Sequence, residues 1–157
     1  MPQQIAVDHK AQFIGDNDGG VVELLQDVAY SRLGIVNVIF VGTPAPNAKD
    51  WVLIDAGVTG TVRAILRGIE NRFGKGARPN AIVLTHGHFD HVGALSELAE
   101  EWNIPIYAHG LEQPYLNGSQ SYPPPDPSVG GGLMSTLSRF YPRGPVDVSR
   151  LAGSAAS

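Results

Sequence analysis

The chain has 157 residues, 43% of them hydrophobic and 17% charged, with a formal net charge of −4 and no cysteine. That length suffices for one domain with its own core, and the composition excludes a disordered chain, a disulfide framework and a thiolate metal site. The 11 Lys and Arg form no basic block, no apolar run nears membrane-spanning length, and the N-terminal MPQQIAVDHKAQ lacks a signal-peptide pattern, so neither nucleic acid nor membrane is expected as a partner and the expected location is cytoplasmic.

In chain order, residues 1–34 are mixed, and Val21, Val22, Leu24 and Leu25 suggest only a short strand or turn. Residues 35–41, IVNVIFV, are apolar and β-branched and predict a buried strand. A breaker-rich turn, GTPAPNAKD, leads to a second strand at 51–55, WVLID. Val62, Ile65, Leu66, Ile69 and Phe73 recur on one face of a 3.6-residue period and predict a helix, with Thr59 or Thr61 to cap it and Gly74 to end it. Residues 81–84, AIVL, read as a short buried strand. Val92, Leu95, Leu98, Ala99 and Trp102 predict another amphipathic helix, followed by a strand at 104–108 and a short helix around 111–116. Strands alternating with helices imply a layered α/β domain, α+β by some schemes.

Between the 81–84 strand and the next helix stands THGHFDH, residues 85–91, with three of the five histidines of the chain. It occupies the carboxyl end of a strand, the edge of an α/β sheet where ligands bind. If the segment leaves the strand extended, His86 and His88 point to one side and share a metal ion, while Asp90 and His91, at the turn into the helix, aim at a second. Imidazole with carboxylate suits zinc, and also iron or manganese. Gly87 removes a side chain where an ion or substrate comes close, and Asp90 doubles as a helix N-cap. Chance would place such a pattern in only about a few chains in ten thousand of this composition. The plain alternative is a capped helix with exposed histidines.

THGHFDH after a hydrophobic strand, with LIDAG about thirty residues earlier, resembles the metallo-β-lactamase-fold hydrolase superfamily over roughly residues 20–116. The resemblance implies an αββα sandwich with a one- or two-zinc site at the edge of its sheets. It implies His86 and His88 as ligands of the first metal and Asp90 and His91 as ligands of the second. Asp55 corresponds to the acid that supports the site from behind, as metal-bound histidines hand their other N–H to a carboxylate or carbonyl. The implied chemistry is attack of a metal-activated water, oriented by Asp90, on an ester, thioester, lactone, lactam or phosphoester of a small-molecule substrate.

The downstream pattern departs from that family. A Gly-His-Thr-x-Gly-His-like turn, a bridging acid and a final histidine are expected, yet His109 is the only histidine after His91. In family-like sequences a histidine there is ordinarily outside the ligand set. Asp126 and Asp147 have no partner histidine, and His9 lies in the weakly patterned N-terminus. The expected organisation is therefore truncated: residues 1–118 as the N-terminal half of such a domain, and 119–157 as a Pro/Gly-rich flap and tail, with a short helix at 134–141. Tyr115, Tyr122 and Phe140 are the substrate-side candidates. Three outcomes compete: a zinc hydrolase that depends on a missing C-terminal half, a catalytically silent remnant holding one metal weakly, and an interaction module that self-associates through the exposed inner face of half a sandwich.

Overall fold

The computed structural model describes residues 20–46 and 48–122. Their framework is a six-stranded sheet whose spatial order follows the sequence: β1 (Val21–Leu25), β2 (Val28–Leu33), β3 (Val36–Val41), β4 (Val52–Ile54), β5 (Ala81–Val83) and β6 (Ile106–Tyr107). The first four strands pair antiparallel, and β4, β5 and β6 run parallel. Parallel neighbours need crossovers. These are α1 (Val62–Phe73) and the pair α2 (Phe89–Val92) and α3 (Leu95–Trp102). A 3-10 turn, Gly110–Glu112, and the short α4 (Gln113–Leu116) follow β6.

Side-chain alternation decides the faces. Ala29, Phe40, Leu53, Ile82 and Ile106 lie side by side across five strands, and all are fully buried. Ile65, Ile69 and Phe73 of α1 and Leu95, Leu98 and Trp102 of α3 join them in one core, so the helices cover this face. Trp51 stacks on Phe73 at 4.1 Å, and the Arg72 guanidinium lies 5.2 Å from the Phe73 centroid, ion-paired to Glu23 and donating to Gly42 O at 2.9 Å. The opposite face presents Tyr30, Ile39, Ile54 and Val83, half-buried, and the exposed Tyr107. The described residues thus form a mixed sheet with flanking helices, the fold class read from the sequence.

Three details differ from the periodicity. A complete β1–β2 hairpin stands where a short strand or turn is expected, because its inward positions include the small Ala29 and the polar Ser31, which break the apolar alternation; Ser31 Oγ donates to Gly20 O at 2.9 Å. The helix after the histidines is split at Gly93, which presses against residues 58–59. Position 88, rather than 90, precedes the first helical residue, so Asp90 is not an N-cap but lies in the first turn of α2. The expected helix at 134–141 lies outside the described residues. No described helix is long and apolar enough to cross a membrane.

Candidate metal centre

Parallel pairing brings the carboxyl ends of β4, β5 and β6 to one edge. Asp55 follows β4, the histidine segment follows β5, and His109 and Glu112 follow β6. A backbone ladder locks the first two: Asp55 N–H donates to Val83 O at 2.9 Å, Ala56 N–H to His91 O at 2.6 Å, Gly93 N–H to Gly57 O at 2.7 Å and Ala94 N–H to Ala56 O at 3.1 Å. Residues 84–88 leave β5 without helical structure, and the helix begins at Phe89.

Asp55 is nearly buried and adopts φ 62, a left-handed conformation that short polar side chains tolerate better than others. Its carboxylate accepts from Thr85 N–H at 2.8 Å, from Thr85 Oγ1 at 2.8 and 3.0 Å, and pairs with His91 Nδ1 at 2.7 Å. Burial pushes the Asp55 carboxyl up, but the bonds from His91 and Thr85 outweigh it and hold it below the ordinary 3.8. His91 is shifted the other way: burial lowers it, yet Asp55 and then Asp90 leave it above 6.5. With Nδ1–H donated to Asp55, Nε2 is the His91 nitrogen left for an ion, and it lies 3.7 Å from Asp90 Oδ2. Burial, and then the neighbouring His91 and His88, hold His86 below 6.5, in the neutral form a ligand needs.

His86, Asp90 and His91 each offer a ligand atom, and the three atoms lie within 4.8 Å of one another. Two imidazoles and a carboxylate so spaced, one imidazole braced by a buried acid, fit a divalent cation. The grouping differs from the pairs read in the sequence, His86 with His88 and Asp90 with His91. His86 and His88 do lie on one side, their ring centroids 4.6 Å apart, but the His88 ring rests against Tyr122 at 4.0 Å and stays outside the cluster. His109 is also outside; its Nδ1 accepts from Leu111 N–H at 3.2 Å. Tyr115 stacks on Tyr122 at 4.0 Å. Phe140, Asp126, Asp147 and His9 lie outside the described residues.

Two further contributors have no local signature. Thr85 bridges Asp55 to His86 Nδ1, 3.0 Å from its hydroxyl. Glu112 Oε2 accepts from Gly87 N–H at 3.0 Å and from the Tyr122 hydroxyl, whose ionisation is pushed up by burial and by Glu112. A threonine before a histidine pair and a glutamate in LEQPYL are ordinary in isolation; only the fold brings them here.

A profile of the metallo-beta-lactamase superfamily matches residues 31–155. "Probable metallo-hydrolase YflN" of Bacillus subtilis is 44% identical over 131 residues, 83% of this chain and 49% of that protein. The chain thus spans about half the length of this relative. Among solved structures, BJP-1, a subclass B3 metallo-beta-lactamase of Bradyrhizobium japonicum, superimposes with a TM-score of 0.60 at 19% identity, over 87% of this chain and 45% of its own. A beta-lactamase from Chitinophaga pinensis gives 0.60 at 19%, over 100% of this chain and 52% of its own. At these identities the two structures speak for the fold alone.

Proposed function

The chain belongs to the metallo-beta-lactamase superfamily, and from that premise we propose that residues 1–157 hold one divalent ion through His86, Asp90 and His91, as part of a metal-dependent hydrolase centre that these residues alone do not complete. The observation that carries this is the convergence of three ligand atoms within 4.8 Å, with Asp55 holding the far nitrogen of His91. Zinc is the first expectation, and iron or manganese suits the same donors. His88, whose ring lies beside that of His86 and against Tyr122, is a further imidazole of the motif outside this group of three. When bound, the ion supplies Lewis acidity and a water made acidic enough to attack at neutral pH.

The remaining roles belong to this chain's own groups. Asp55 keeps the proton on His91 Nδ1, and Asp90 would orient a water at the bound ion by accepting its hydrogen. The stacked Tyr115 and Tyr122 offer an aromatic wall beside His88 for a small-molecule substrate. The bond broken belongs to the ester, thioester, lactone, lactam or phosphoester class. The described residues supply one group of three ligands that could hold an ion, and its members are half-buried, so binding is weaker than in a closed structural site and turnover by 1–157 is weak or absent.

Calorimetric titration of the metal-free chain with zinc, beside assays on ester, lactone and lactam substrates, tests this reading. One weak site, lost in His86→Ala, with little hydrolysis, is the expected result. Robust zinc-dependent hydrolysis abolished by His88→Ala would overturn the silent single-metal reading, and unchanged binding in His86→Ala would place the ion elsewhere.

A further inference from the structure

Between His86 and His88, the Gly87 amide is held by side chains from a later part of the chain. Its N–H points at two oxygens, Glu112 Oε2 at 3.0 Å and the Tyr122 hydroxyl at 2.7 Å, and that hydroxyl in turn donates to Glu112. One peptide N–H, one phenol and one carboxylate close a small ring of hydrogen bonds. The approach is tight: a Cβ at position 87 would lie 2.9 Å from Leu116 Cδ2 and 3.1 Å from the Tyr122 hydroxyl. Leu116 is fully buried, which anchors α4, and with it the turn that presents Glu112, to the core. The Tyr122 ring is sandwiched, Tyr115 at 4.0 Å and nearly parallel, His88 at 4.0 Å and tilted.

We propose that Glu112 and Tyr122 are positioning residues of the metal centre: they clasp the Gly87 amide and so fix the backbone that carries His86 and His88. Neither is a ligand; the cluster of convergent atoms excludes Glu112. The physical need follows from the segment. Thr85 and His88 are exposed, and Gly87 between them has the widest conformational freedom of any residue, so an untied 85–88 loop loses backbone entropy each time an ion gathers its ligands. A charge-assisted bond from a carboxylate on an anchored turn removes that freedom beforehand. The Tyr122 ring meanwhile limits the orientations open to His88. This inference rests on the single-ion reading above and adds to it two residues that follow β6 in the chain.

The test uses the full chain. Zinc affinity by calorimetry, and amide exchange of Gly87 by NMR in the zinc-free protein, are measured for wild type, Glu112→Ala, Glu112→Gln and Tyr122→Phe. Glu112→Ala and Tyr122→Phe are expected to weaken zinc by about ten- to hundredfold, as losses of outer partners at metal sites do, and to speed Gly87 exchange selectively over amides in β3 and α1. Glu112→Gln keeps an acceptor for Gly87 and restores most of the affinity. A merely structural role would shift the melting midpoint while leaving Gly87 exchange in step with the rest. Should Glu112→Ala fail to fold, Tyr122→Phe keeps the ring and its stack and carries the test. Wild-type zinc affinity in Tyr122→Phe, or unchanged Gly87 exchange, overturns the clasp while loss of binding in His86→Ala leaves the single-ion reading standing. Absence of zinc binding by wild type sinks both, and faster Gly87 exchange would then reveal a loop tether with no bearing on metal.

Discussion

Gly93→Ala pits local preference against tertiary fit. Gly93 has helical angles, φ −63 and ψ −32, so alanine there gains about 1 kcal/mol of helix propensity. Its Cβ, however, would lie 2.2 Å from Thr59 N, 2.4 Å from Val58 C and 2.7 Å from Val58 Cα. Ordinary contact needs about 3.5 Å, so the two backbones must part by about 1 Å. They are tied by the bonds from Gly93 to Gly57 and from Ala94 to Ala56, in a region where Ala56 and Ala94 are fully buried. Losing one or two such bonds and straining the packing costs about 3–4 kcal/mol. The net loss is then about 2–3 kcal/mol, or a melting midpoint lower by roughly 5–10 °C for a chain of this size. Because the same ladder sets Asp55 against His91, zinc affinity should fall too. Thermal and urea unfolding of the two proteins, with and without zinc, decide it; a Gly93→Ala variant as stable as wild type would refute the reasoning.

Zinc should raise the melting midpoint of wild type, with the logarithm of its concentration once that exceeds the dissociation constant, and this shift should vanish in His86→Ala and Asp90→Ala. In zinc-free protein, His91 should titrate above its ordinary 6.5 and His86 below it by NMR, with Asp55→Asn bringing His91 back down. The sign of the linked stability follows: the Asp55 contribution is full above 3.8 and lost as pH falls through its lowered value, and the His91 contribution is full below 6.5 and lost as pH rises through its raised value. The difference in melting midpoint between wild type and Asp55→Asn should therefore peak between pH 3.8 and 6.5, and a flat difference across pH would contradict the pairing. Thr85→Val should cost about 1–2 kcal/mol and let the Asp55 carboxyl rise, read by urea unfolding and carboxyl titration.

The elements with strong periodicity, β3 and α1, are legible in the sequence because one face of each is almost wholly apolar. The β1–β2 hairpin is not, since its edge strand is exposed and Ser31 sits on the buried face of β2. The ligand candidates are legible because their chemistry lies within six consecutive residues, 86–91. Their grouping is not: that His91 and Asp90, and not His88, converge with His86 depends on Asp55 and Tyr122, each brought from more than 30 residues away. Glu112 and Thr85 carry no pattern of their own, for their partners are a backbone amide and a distant carboxylate.

The span from Asp55 to His91, 36 residues, separates two kinds of affinity. The proposed ligands His86, Asp90 and His91 are neighbours in the chain, so a local chelate among them would need little of the fold. To the extent that the unfolded chain would keep such a grip on zinc, only the excess grip of the native state registers as stabilisation. That excess comes from groups that reach the motif through the fold, Asp55 first among them. Replacing Asp55 removes no proposed ligand, yet it should shrink the gap between native and unfolded affinity, making the metal a weaker reporter of folding even where it still binds.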